Sequence, residues 1–174
     1  MAEALRIIQP GGLALAAVMA RKGVDASTIG ERLGLTPPTD PTAARNPSMT
    51  LIGTGPGTWL AVGEAGQGDW VAGLEATLAG IASVSDQSSG YVVLRFSGQG
   101  AGALLQKGAF IDLDPAAFAI GAAATTVIGH LGVILWKVDD APSFDVALFR
   151  SYAKSFQAWI AANAGGQALP VSIA

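Results

Sequence analysis

Tyr91-Val92-Val93-Leu94-Arg95-Phe96-Ser97 runs directly into Gly98-Gln99-Gly100-Ala101-Gly102-Ala103. The first stretch is rich in valine, leucine and aromatic residues, the composition of a strand. The second matches a relaxed dinucleotide-binding pattern with Ala103 in the third glycine's place, and it opens a helix whose Leu104 and Leu105 point inward. Glycines in such a turn let the backbone approach a pyrophosphate at the positive end of the helix. The pattern also requires a second parallel strand that ends in an acidic residue about 20 residues on. Here the chain turns alanine-rich and holds no acid between Pro115 and Trp136. The reading that survives is a tight strand-to-helix turn in an α+β fold.

Downstream, residues 125–130, 133–138 and 144–149 read as three more strands. Asp139-Asp140-Ala141-Pro142 predicts a hairpin turn between the last two. Asp114 caps a short turn with Pro115 at its first helical position. From Ser151 a helix carries Tyr152, Phe156, Trp159 and Ile160 on one stripe. The small residues after Ala164 predict a loose tail.

Upstream, residues 13–20 form an apolar strand, and 24–35 a helix capped by Asp25 or Ser27 with Gly34 near its end. Residues 36–48 contain Pro37, Pro38, Pro41 and Pro47, which exclude a helix or a central strand and leave a loop or extended arm. Two short strands, 49–52 and 58–62, flank a turn at Gly53-Thr54-Gly55-Pro56-Gly57. Trp70, Leu74 and Leu78 recur every four residues on a helix over 69–78, which Gly80 ends. A strand at 81–84 leads into Ser85-Asp86-Gln87-Ser88-Ser89-Gly90. The order strand–helix–strand–strand–helix–strand roughly recurs in the second half. It predicts an α+β fold of two ferredoxin-like halves with largely antiparallel sheets, meeting near residues 85–90.

Charged residues make up only 13% of the 174 residues and apolar ones 51%, against about 25% charged in ordinary soluble domains. A surface so short of charge either lies in a membrane or faces other protein. Pro115–Trp136 is long enough to span and carries no charge. Its Pro115, Gly121, Thr125, Thr126, Gly129, His130 and Gly132 favour two strands joined near residues 129–132 instead. The apolar run 11–20 lacks the positive start of an export signal, because Glu3 offsets Arg6. No basic cluster invites nucleic acid or anionic lipid. The absence of cysteine removes disulfides, thiol catalysis and cysteine-held zinc.

Few residues offer chemistry. Gly53–Gly57 lacks the Lys-Ser/Thr end of a phosphate loop. His130, between apolar neighbours, has no serine or acid near it in sequence and reads as a buried or edge histidine making one hydrogen bond. Asp112 and Asp114 are close enough to share a cation, but capping explains them better. Asp86, at a strand end in a polar segment, is the one candidate ligand-binding residue, set against a plain turn aspartate. Arg95 and Arg150 lie in or beside apolar strands and must find carboxylates, carbonyls or an interface. Trp59, Trp70, Trp136 and Trp159 suit core packing, with one or two expected at an interface.

A series of segments carries a resemblance. Gly55-Pro56-Gly57-Thr58-Trp59-Leu60 comes first, then Val84-Ser85-Asp86-Gln87-Ser88 and Val93-Leu94-Arg95-Phe96-Ser97-Gly98. Leu104-Leu105-Gln106-Lys107-Gly108 and Ile111-Asp112-Leu113 follow. Phe118, His130, Val133-Ile134-Leu135-Trp136, Phe144, Phe149-Arg150-Ser151-Tyr152-Ala153 and Trp159 complete it. In order and spacing this resembles the gamma subunit family of heterotetrameric sarcosine oxidase, over most of residues 50–160. That family is distantly similar to the folate-binding region of aminomethyltransferase. There a functional aspartate opens an Asp-x-Ser-His segment; Asp86 and Ser88 match it here, and Ser89 replaces the histidine. The resemblance implies a single gamma-subunit-like domain over residues 1–174, cytoplasmic, without catalytic or metal-binding residues or a cofactor of its own. Alpha, beta and delta subunits would be its partners. FAD, FMN, NAD and tetrahydrofolate would sit in those chains, in a complex that oxidatively demethylates sarcosine or a related N-methyl amine. The alternative is an independent folate-binding or one-carbon transferase-like protein with Asp86 near its ligand.

Overall fold

The computed structural model describes residues 5–66 and 69–165. Glu3 and most of the tail after Ala164 lie outside the described residues. The chain divides into two compact units: Gly11–Ser89, and Met1–Pro10 together with Gly90–Ala174. Strand β1 (Arg6–Ile8) therefore belongs to the second unit although it opens the chain.

The contiguous unit contains β2 (Leu13–Ala20), α1 (Ala26–Leu33), β3 (Ala43–Arg45), β4 (Met49–Gly55), β5 (Thr58–Glu64), α2 (Trp70–Thr77) and β6 (Ala82–Asp86). Its sheet runs β3-β4-β5-β2-β6, antiparallel throughout. Without the edge strand β3, this is the ferredoxin-like order: second, third, first and fourth strands side by side. Ala16 and Val18 of β2, Leu51 of β4 and Trp59 and Ala61 of β5 join Ile29, Leu74 and Leu78 in one core. Leu15, Ile52 and Leu60, of opposite parity, are buried as well. These strands are buried on both faces, so their sequences read as apolar runs rather than alternations.

Local signals fix the helix ends. Gly34 adopts φ 60° and donates its N–H to Gly30 O, closing α1 with a left-handed residue that glycine adopts without strain. Asp69 caps α2, its carboxylate accepting from Ala72 N–H at 3.0 Å. At Gly63, on β5, the Trp70 ring occupies the space a Cβ would need.

The second unit holds β1, β7 (Tyr91–Ser97), α3 (Ala101–Gln106), β8 (Ala123–Ile128), β9 (Leu131–Asp139), β10 (Ser143–Phe149) and α4 (Ala153–Asn163), the last preceded by a 3-10 turn. Its sheet order is β1-β7-β10-β9-β8, again antiparallel. Position for position this repeats the first sheet: β8 stands where β3 does, and β7, β9 and β10 where β2, β4 and β5 do. The fourth place, filled in the first unit by β6 after α2, is filled here by β1 from the start of the chain. The core gathers Leu94 and Phe96 of β7, Leu135 of β9, Val146 and Leu148 of β10, and Phe156 and Ile160 of α4. Leu5 and Ile7 reach into the same cluster.

Several details differ from the sequence reading: it did not foresee β1, and Asp25, at the N-cap of α1, makes no side-chain capping hydrogen bond. The proline-rich arm contains the three-residue strand β3; an edge position tolerates flanking prolines because one side of it needs no ladder. β6 continues through Ser85 and Asp86, which pair with Ala17 and Ala16. His130 leaves the strand and forms, with Gly129, the two-residue turn between β8 and β9. Both turn residues have positive φ, 57° and 68°, the type I′ geometry that matches strand twist.

Candidate functional site

Asp86 ends β6 and is exposed. Its Oδ1 accepts the Ser88 N–H at 2.8 Å, an aspartate turn that folds residues 86–88 back on themselves. Ser88 is in turn fastened to β2: its Oγ accepts from Leu15 N–H at 3.0 Å and donates to Leu15 O at 3.3 Å. Gln87 N–H also reaches Leu15 O, at 2.8 Å. Hydrogen bonds from the Ser88 backbone and then its hydroxyl hold the Asp86 carboxyl below its ordinary value. The hydroxyl has one hydrogen, so it serves either Asp86 or Leu15 O at a given moment; the backbone N–H is the steadier partner. The arrangement supplies an ionised, exposed carboxylate with one oxygen committed to the turn.

The other sequence candidates also hold backbone. The Asp114 N–H donates to Asp112 Oδ1 and the Ala116 N–H to Asp114 Oδ1, each at 2.9 Å. Both carboxylates thus form successive turns, and no group of three or more potential metal ligands occurs among the described residues. Gly98–Gly102 makes the turn from β7 into α3, where Gly100 takes φ 106°. The flanking strands of β7 are both antiparallel to it, so the parallel crossover that a dinucleotide site needs is absent there. Gly53–Gly57 is the β4–β5 hairpin, with an irregularity between Gly53 and Gly55. A Cβ at Gly53 would lie 2.5 Å from Asp40 O, so the glycine admits the proline-rich arm against β4.

Arg95 finds the carboxylate it needs. It faces Asp145 across β7 and β10 and forms a two-pronged ion pair, with Nε to Oδ1 and Nη2 to Oδ2 both at 2.7 Å. Arg150 is anchored to backbone: its N–H donates to Gly90 O and its Nη2 to Tyr91 O. None of the four tryptophans is exposed. Trp59 donates its Nε1–H to Pro38 O at 2.7 Å, and Trp159 stacks on Phe156. Among the described residues, the large apolar side chains that do reach the surface are Met19, Phe110, Ile120, Phe149, Tyr152 and, marginally, Ile8. The sequence reading took core packing as the default for tryptophan and expected one or two at an interface; the exposed side chains lie instead at strand ends and in loops.

Among the described residues, no helix is long and apolar enough to cross a membrane. No curated protein sequence matches the chain. Among solved structures, a chain of the heterotetrameric sarcosine oxidase from Corynebacterium sp. U-96, in complex with pyrrole 2-carboxylate, superposes with TM-score 0.83 at 21% identity, over 97% of this chain and 88% of that one. The glycine cleavage system aminomethyltransferase T from Bartonella henselae superposes with TM-score 0.69 at 15% identity, over 97% of this chain. The protein spans about half of that enzyme, 47% of its length. These likenesses establish the α+β fold of two antiparallel five-stranded sheets. The model of the sarcosine oxidase, gamma subunit family matches residues 19–166, most of the chain, and the protein belongs to that family.

Proposed function

We propose that the chain is a non-catalytic assembly subunit of a heterotetrameric sarcosine oxidase-like complex, which oxidatively demethylates sarcosine or a related N-methyl amine. The family match over residues 19–166 carries this reading. Its partners are the alpha, beta and delta subunits, and FAD, FMN, NAD and tetrahydrofolate belong to those chains. The complex is cytoplasmic, in keeping with a chain free of cysteine. Support for a non-catalytic role comes from what the polar side chains do. Asp86, Asp112 and Asp114 shape turns, and Arg95 is consumed by Asp145. The low charge supports a surface that meets other chains. The test is gentle purification of the tagged chain from its native host. Larger chains and flavin absorbance in the eluate are expected; a colourless, monodisperse lone chain overturns the reading.

A second reading, an independent folate-binding or one-carbon transferase-like protein, is favoured by the fold likeness to the aminomethyltransferase. Asp86 is its candidate contact. Tetrahydrofolate affinity in the purified chain that falls on Asp86→Ala supports it, and no measurable binding removes it.

A further inference from the structure

Arg6, Ile7 and Ile8 pair with Ser97, Phe96 and Arg95, and these three pairs are the whole ladder between β1 and β7. Every other ladder of that sheet has six. β1 is an edge strand, and among the described residues no strand pairs with its outer side. Apolar anchoring holds it in place. Leu5, just before β1, and Ile7 are buried in the core that holds Phe96, Ala101 and Leu104, while Arg6 and Ile8 alternate with them and are exposed. The slot beside β7 thus takes an extended segment with apolar side chains two residues apart.

The rest of the second unit, from β7 to α4, is one continuous stretch of chain, and β1 reaches it from elsewhere in the sequence. Residues 9–12 join β1 to β2. Gly11 and Gly12 in this connection are exposed, a Cβ at either meets nothing within 4 Å, and Gly12 takes φ 68°. Glycines so placed let a connection change direction without a steric penalty. The first unit shows the contrast. Its strand in the same place, β6, follows α2 closely, and the N–H groups of Ile81 and Ala82 both donate to Leu78 O at the end of that helix. β6 therefore leaves its sheet only by unwinding that helix end. A short edge strand on a glycine hinge opens locally at far lower cost than the sheet it joins. The segment that fits the emptied slot is the one seen in it, and a second copy of the chain carries that segment.

We infer that β1 is an exchangeable strand: the slot beside β7 receives residues 5–8 of a second copy, so that each chain completes the second unit of the other. Exchange keeps every contact of β1 and changes only the hinge. The inference is independent of the assembly reading above. Because the full chain has no cysteine, introduced disulfides report where β1 lies. Arg6→Cys and Ser97→Cys chains are purified separately, reduced, mixed at high concentration and oxidised. Residues 6 and 97 face each other across the ladder, at a separation a disulfide spans. The mixture is expected to give about tenfold or more linked heterodimer than Arg6→Cys mixed with Ser83→Cys, whose exposed cysteine on β6 reports chance collision. Deleting Gly11 and Gly12 strains closure within one chain and is expected to raise the dimer fraction several-fold in size-exclusion chromatography. Equal linking in the two mixtures overturns the inference, since β1 then stays in its own chain. A shortened chain that remains monomeric overturns it as well.

Discussion

Arg95 and Asp145 stand directly opposite each other on β7 and β10, joined by two parallel hydrogen bonds, yet water reaches them unequally: the Arg95 side chain is 39% exposed and that of Asp145 only 6%. The inequality predicts unequal mutants. Removing Arg95 strands a buried carboxylate. Removing Asp145 leaves a guanidinium that can turn towards solvent. Arg95→Ala is expected to cost about 3 kcal/mol and Asp145→Ala nearer 2 kcal/mol. Urea titration followed by tryptophan fluorescence measures both; equal costs would show that the exposed end of the pair contributes as much as the buried end.

Asp86 titrates with a sign that can be worked out. Its folded-state value lies below the ordinary one because Ser88 donates to the charged form. The contribution to stability is therefore fully present above the unfolded value, about 4, and is lost as pH falls through the lower folded value. NMR titration of the Asp86 carboxyl is expected to place its midpoint below that of an unstructured aspartate. Ser88→Ala keeps the backbone donor, so it should retain most of the depression; a full return to the ordinary value would make the hydroxyl the main partner.

How much of this was legible in the sequence depends on where the cause lies. β7, β9 and β10 announce themselves because both faces are apolar, and the two ferredoxin-like halves follow from the repeated order. β1 does not. Arg6-Ile7-Ile8 is too short to signal a strand, and β7, from Tyr91 onward, supplies its ladder. β3 is hidden among prolines for the same reason, its ladder being lent by β4. Arg95 was recognisable as needing a partner, but Asp145 is 50 positions away, and only the sheet register brings them together. That Asp86 lies at a strand end could be read from the sequence, but its turn depends on Ser88 being bolted to Leu15, 73 positions away.

His130 offers a test of a structural role against a chemical one. It occupies φ 68° at the second position of its turn, which costs a side-chain-bearing residue about 1–2 kcal/mol that glycine avoids. Part of that gain is offset by glycine's freedom in the unfolded chain. His130→Gly is therefore expected to stabilise the protein by about 0.5–1 kcal/mol and to leave the activity of the assembled complex intact. A loss of turnover without loss of assembly would instead assign the imidazole a chemical task.

Glycines beneath tryptophans are expected to be far less tolerant than glycines on open helix. A Cβ at Gly129 would lie 2.5 Å from Trp159, and one at Gly108 2.6 Å from the same ring. Trp159 itself is fixed by stacking on Phe156, with ring centroids 5.6 Å apart, so it cannot yield without opening the core. In the other unit Gly63 meets Trp70 in the same way. Gly108→Ala and Gly63→Ala should each cost about 1–3 kcal/mol through overpacking. Gly73→Ala, in the middle of α2 with open space around it, should gain up to about 1 kcal/mol from helix propensity. Melting temperatures of the three variants check this together. If Gly63→Ala melted as high as Gly73→Ala, Trp70 would have to be free to leave β5, and its packing there would contribute little to the fold.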